Sequence, residues 1–216
     1  AKYRVKIYTV YNGSEELVND IDDIVAGDVF VIQGQSNAAA VMYNGSANGY
    51  QSDYIRVYSG GNISSSGLLS NDSWYYGQGD GNENSSGNTG QWGLVLAKKL
   101  VDEFNIPIAI FNAAHGGKPI SFFQAPTDYS SSTNSNYGRL YYRLNKTGLK
   151  NAVRGILWSQ AEADSFTNGL STNQYKETFT SHKNSWYTDF TNLSNIYIFQ
   201  NRECDCGTSY NGRLQI

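Results

Sequence analysis

The chain is poor in charge, in cysteine and in histidine, and each shortage excludes something. Only 16% of its 216 residues are charged and the net charge is −3, with no basic cluster anywhere. It therefore lacks the electrostatic footprint of a nucleic-acid partner. No apolar run reaches the roughly 18 residues that mark a membrane-spanning helix. The two cysteines, Cys204 and Cys206, stand one residue apart. A bridge across a single residue would be strained, and two ligands without partners make a poor zinc site. They read as structural thiols, or as one thiol paired with a cysteine outside this sequence. Two histidines, His115 and His182, are all the chain offers of the side chain that most often moves protons near neutral pH. No metal or organic cofactor is implied.

What the sequence has instead is polarity without charge: 17 Tyr, 4 Trp and 22 Gly, set among Ser- and Asn-rich stretches. Aromatic faces stack on sugar rings while amides and hydroxyls bond to sugar hydroxyls, so such a surface suits carbohydrate. The same stretches also read as solvated connections. Hydrophobic residues at 39% indicate a globular protein, and a chain this long buries roughly 70% of its unfolded surface. Residues 1–216 are read as one domain. The chain opens at Ala1 without a charged-then-apolar leader. That is the pattern of a processed or trimmed chain, and it favours a secreted, periplasmic or cell-surface location.

Periodicity gives the architecture. Lys2–Tyr11 alternates apolar and polar residues, the pattern of a half-exposed strand. Val29–Gln33, Ile106–Asn112, Gly155–Ser159 and Ile196–Gln200 are short apolar runs, as expected of strands buried on both faces. Between them Trp92–Phe104, Tyr137–Val153 and Thr172–Phe190 carry helical spacing, with His182 placed on the solvated side of the last. Residues 44–90 lack sustained periodicity and read as a long inserted loop, whose Trp74 is expected to border a sugar site. Strands alternating with helices predict an α/β fold of three layers, α/β/α, around a central, mainly parallel sheet. Ligands of such sheets bind outside the carboxyl ends of the strands.

Three polar blocks fall at those ends. Gly34-Gln35-Ser36-Asn37 follows the first buried strand. A serine there can expose its Oγ beside free N–H groups that would hold an oxyanion, although Ser and Asn are also ordinary turn residues. Asn112–Gly117 follows the second, with two glycines that permit close backbone approach. Trp158–Asp164 follows the third and brings Gln160, Glu162 and Asp164. Capping or a solvated loop would equally employ its acids.

Together these blocks resemble the SGNH hydrolase superfamily, whose fold is flavodoxin-like, and within it the sialate O-acetylesterase and acetylxylan esterase branch. Gly34–Asn37 is similar to the block bearing that family's nucleophilic serine, and Gly27–Phe30 to the strand leading into it. Ala97–Leu100 resembles the family's Ala-Lys-Arg-Leu helix. Asn112–Gly117 resembles the block whose glycine lends an N–H to the oxyanion hole, with Gly117 the match. Trp158–Asp164 resembles Trp-x-Gln-Gly-Glu-x-Asp, with Ala161 in place of the glycine. The resemblance implies a serine esterase acting on an acetylated oligo- or polysaccharide. Ser36 is the implied nucleophile and Gln160 a side-chain oxyanion donor. Gln35, Asn37, His115 and Glu162 are implied substrate-side residues.

The family's closing Asp-x-x-His block has no counterpart: no histidine follows His182, and Gly212–Gln215 resembles the segment that precedes that block. A serine hydroxyl needs an adjacent base. The expectation is a chain cut short before its catalytic Asp and His. Two other readings stay open, a non-catalytic carbohydrate-binding or adhesion module on the same fold, and a complete hydrolase in which His115 is the base.

Overall fold

The computed structural model describes residues 1–41, 44–61, 70–81, 85–165 and 169–200. Cys204, Cys206 and Gly212–Gln215 lie outside them. Among the described residues eight strands form two sheets. One is a hairpin of β1 (Lys2–Tyr11) and β2 (Ser14–Val25), closed by Asn12 and Gly13, both at positive φ. This is the Asn-Gly turn whose twist matches that of the strands.

The other sheet contains β3 (Asp28–Gly34), β4 (Ile55–Gly61), β5 (Ser70–Tyr76), β6 (Ile108–Asn112), β7 (Val153–Ser159) and β8 (Asn195–Ile198) in the order β5-β4-β6-β3-β7-β8. Every neighbouring pair is parallel except β4 and β5. Successive residues point to opposite faces of a strand, and the core divides accordingly. Ile32, Ile110 and Leu157 pack under α2 (Gln91–Phe104) with Leu94 and Ala97. Val31, Phe111 and Trp158 face α3 (Asn136–Lys146) and α4 (Thr172–Asp189) through Tyr137, Leu140, Tyr175 and Trp186. The three-layer α/β/α fold with a mainly parallel sheet is thus the observed one.

Three expectations need correction. Residues 44–90 are not one loop, because they supply β4 and β5, an edge of the central sheet. Ile55, Val57 and Tyr58 are buried there, an apolar run hidden among Gly and Ser neighbours. The helix expected over Tyr137–Val153 stops at Lys146, and Gly148 takes a left-handed φ of 72° before β7 begins at Val153. His182 is not solvated but 0% exposed, against Tyr137, Trp158 and Trp186. It continues the stripe of Tyr175, Phe179 and Trp186 along α4, and helical spacing turns that stripe inward.

Candidate active site

Gly34 ends β3 at φ +133°, and a Cβ on it would lie 2.0 Å from the Ser159 carbonyl oxygen of β7. Only glycine lets the two chains approach so closely. The chain then turns sharply, the Gln35 N–H donating to Ser159 O at 2.9 Å, and enters the single turn α1 (Ser36–Ala39). Ser36 and Asn37 are exposed and Gln35 is buried. The first N–H groups of a helix have no intrahelical acceptor. Among the described residues neither the Ser36 nor the Gly117 N–H donates a backbone hydrogen bond, and the space over Gly117 Cα is open to 4 Å. Trp92 supports this turn from α2, its indole Nε1 donating to Asn37 O at 2.8 Å.

The second block arrives along β6, adjacent to β3. The His115 N–H donates to Gly34 O at 2.8 Å, and the His115 ring stacks on Phe122 with centroids 5.1 Å apart. Lys118 Nζ lies 5.3 Å from the centre of the same Phe122 ring. The third block arrives along β7 on the other side of β3. Asn37 Nδ2 donates to Glu162 Oε1 at 2.6 Å, and the Ala163 N–H donates to Gln35 Oε1 at 3.0 Å. Gln35 therefore ties the first block to the third from beneath Ser36. It is a buried brace at this junction.

Gln160 is brought to this junction too, at 1% exposure. Its Nε2 donates to Asp164 Oδ2 at 2.6 Å, to Lys118 O at 3.1 Å and, more weakly, to Gln35 Oε1 at 3.4 Å. Its Oε1 accepts from the Tyr175 hydroxyl at 2.7 Å. Burial of that phenol pushes its pKa upward, so it stays a donor. Ala161 holds φ +139° while almost wholly buried. The turn keeps a glycine-type backbone although the residue is alanine, at a cost of roughly 1–3 kcal/mol.

The sequence thus placed Ser36, Asn37, His115, Gly117, Gln160 and Glu162 on three adjacent strand ends, and the structure brings those ends together. It does not bring Trp74, which lies on β5, three strands from β3, edge-on to Tyr58 and Phe111. Aromatic rings beside the blocks include Trp92, which the sequence reading placed only in a helix, and Phe122, which it did not single out. Their positions, two residues after Gly90 and three after Pro119, were the available signal. His182 can take no part as a base. It is buried beneath the sheet, and desolvation pushes its imidazole pKa down to about 3. Among the described residues no group of three or more His, Cys, Asp or Glu could hold a metal ion, and no helix is long and apolar enough to cross a membrane.

Two solved structures share this fold. A protein from Arabidopsis thaliana superposes with a TM-score of 0.59 at 15% identity, over 79% of this chain and 73% of its own. A carbohydrate acetylesterase from Xanthomonas citri does so with a TM-score of 0.54 at 19% identity, over 89% of this chain and 45% of its own. No curated protein matches the sequence. The family model for carbohydrate esterases of the sialic acid-specific acetylesterase type matches residues 26–202, which take in all three blocks. With Ser36, Gly117 and Gln160 gathered at the ends of β3, β6 and β7, the chain belongs to that carbohydrate esterase family.

Proposed function

We propose that the protein is a serine esterase that removes O-acetyl groups from carbohydrate, with Ser36 as nucleophile. The observation that carries this reading is the meeting of the three polar blocks around an exposed Ser36 at the carboxyl ends of three neighbouring strands. In the reaction Ser36 Oγ bonds to the acyl carbon as its proton passes to a base. The carbonyl oxygen becomes an oxyanion, facing the N–H groups of Ser36 and Gly117 and the Gln160 amide. The sugar oxygen leaves with a proton returned by the base. Water then attacks the acetyl-serine, releasing acetate and restoring Ser36.

In this reading the base is the histidine of the family's closing Asp-x-x-His block, which has no counterpart among these residues. A saccharide substrate and an exported protein fit the same reading. Ala161, standing where the family's third block has glycine, favours one alternative, a module that binds acetylated glycan without cleaving it.

The test uses the longer natural protein and a small activated acetate ester. Ser36→Ala is expected to abolish turnover, and Gln160→Ala to reduce it about 10²–10³-fold, the usual effect of losing one oxyanion donor. The 216-residue piece should be nearly inactive. Full activity in that piece, silenced by His115→Ala, would make His115 the base. An inactive longer protein that still binds glycan would establish the binding module.

A further inference from the structure

An amide that donates to an oxyanion must present its nitrogen, not its oxygen, and must not turn over. We infer that Asp164 and Tyr175 are positioning residues that lock the Gln160 amide in its donating orientation, an inference that rests on the esterase reading above. Asp164 Oδ2 accepts from Gln160 Nε2 at 2.6 Å, while the Tyr175 hydroxyl donates to Gln160 Oε1 at 2.7 Å. Turned by 180°, the amide would set its oxygen against the Asp164 carboxyl and lose the bond that Tyr175 donates. Each partner thus excludes the wrong orientation from its own side.

The lock leaves one N–H for chemistry. An amide nitrogen carries two hydrogens, and Asp164 takes the shorter bond. The second is shared between Lys118 O at 3.1 Å and Gln35 Oε1 at 3.4 Å. Of these acceptors Gln35 precedes the active-site serine and Lys118 follows Gly117. Those long, divided contacts are the ones an acyl oxyanion would displace.

Asp164 reaches the other arm as well, since its Oδ2 accepts the Ile120 N–H at 2.8 Å and so fixes the end of the loop that carries Gly117. The carboxyl is 0% exposed, and its Oδ1 has no partner among the described residues. Burying such a group destabilises the fold. Holding two oxyanion donors in register is a function that offsets that burden.

The experiment measures kcat and KM of the longer natural protein on a small acetate ester. Asp164→Ala should lower kcat by about 10–100-fold with little change in KM, a fraction of what losing the donor itself does. Asp164→Asn keeps an acceptor oxygen and should recover most of the rate. Tyr175→Phe, which loses only a hydroxyl, should lower kcat several-fold and carries the test should Asp164→Ala fail to fold. In a Gln160→Ala background none of these should slow the enzyme further, because the amide they hold is gone. Undiminished kcat in the Asp164 and Tyr175 variants, or losses that add to that of Gln160→Ala, would overturn the lock and leave the esterase reading intact. A Gln160→Ala enzyme of normal rate would overturn the oxyanion role and the lock with it.

Discussion

The hairpin of β1 and β2 and the strands at the centre of the large sheet are built from much the same residues, yet they meet solvent in opposite ways. Val31 and Ile32 of β3 are wholly buried between helical layers. Tyr3, Val5 and Ile7 of β1 alternate as regularly as any amphipathic strand, and every residue of β1 is exposed. On the other face Arg4 forms a two-point ion pair with Asp20. The hairpin is fastened to the body at its base, where Asp23 meets Lys2, Arg56 and the Tyr76 hydroxyl. Alternation is thus a property of a strand's own faces. Burial is decided by what the rest of the molecule lays against them, and two isolated strands supply very little.

The comparison can be broken most forcefully at its glycines. Gly34→Ala drives a methyl into the Ser159 carbonyl at an unfavourable φ, and should cost more than about 3 kcal/mol in urea unfolding. Gly13→Ala at the hairpin tip has an unfavourable φ of +78° but nothing within 4 Å, and should cost only about 1 kcal/mol. Equal losses at the two sites would show that the hairpin is as tightly determined as the sheet.

Acid should separate the two regions next. His182 titrates near 6.5 when unfolded and at about 3 when buried. Between those values the unfolded chain binds a proton that the folded one refuses, so stability is full above pH 6.5 and falls as pH drops toward 3. The slope is at most about 1.4 kcal/mol per pH unit. Going from pH 7 to pH 4.5 should therefore cost the wild type about 2–3 kcal/mol more than His182→Phe. In the hairpin Lys2 holds the Asp23 carboxyl down to about 2, and its contribution should persist until pH falls through the range from 3.8 to that value. A wild type and His182→Phe with parallel pH profiles would show that the imidazole is hydrated in the folded state.

The smallest effect belongs to the apolar row of the hairpin. Replacing Val5 and Ile21, which face each other across the strands, by Thr keeps the β-branched shape and removes little buried surface. The expected change in stability is within about 0.5 kcal/mol. A loss several times larger would mean that something covers this row in solution.

The site was legible where function demands a residue type at a fixed place. Gln160 stands one residue after β7 ends, Ser36 two after β3 and Gly117 five after β6, and the geometry of a parallel sheet gathers such positions at one edge. What escaped reading depended on partners distant in the chain. Ile55–Tyr58 is too short a run, among too many Gly and Ser, to announce a strand before β6 is beside it. His182 looked polar by type, but its place on the Tyr175–Phe179–Trp186 stripe decided its surroundings. That Gln35 braces the first block against the third shows only once Ala163 approaches it at 3.0 Å. The glycine-type φ of Ala161 is likewise a demand of the fold that the residue's identity conceals.

The position of β3 in the sheet has a consequence for biosynthesis. It is the first strand of the large sheet to be made, but its neighbours are β6 and β7, whose last paired residue, Ser159, follows Gly34 by 125 residues. At about 5–20 residues per second a ribosome needs roughly 6–25 seconds to span that interval. Until β6 is made the apolar Val29–Ile32 segment has neither partner strand, β7 follows only at the end of the interval, and long-range parallel pairing is slow to form even once the chain is complete. The turn that exposes Ser36 depends on the Ser159 carbonyl, so Ser36 acquires its geometry only after about three-quarters of these residues have been synthesised. A chaperone that shields residues 29–32 during that interval should raise the yield of active protein more than one acting on the hairpin, whose two strands are adjacent in sequence and pair as soon as they emerge.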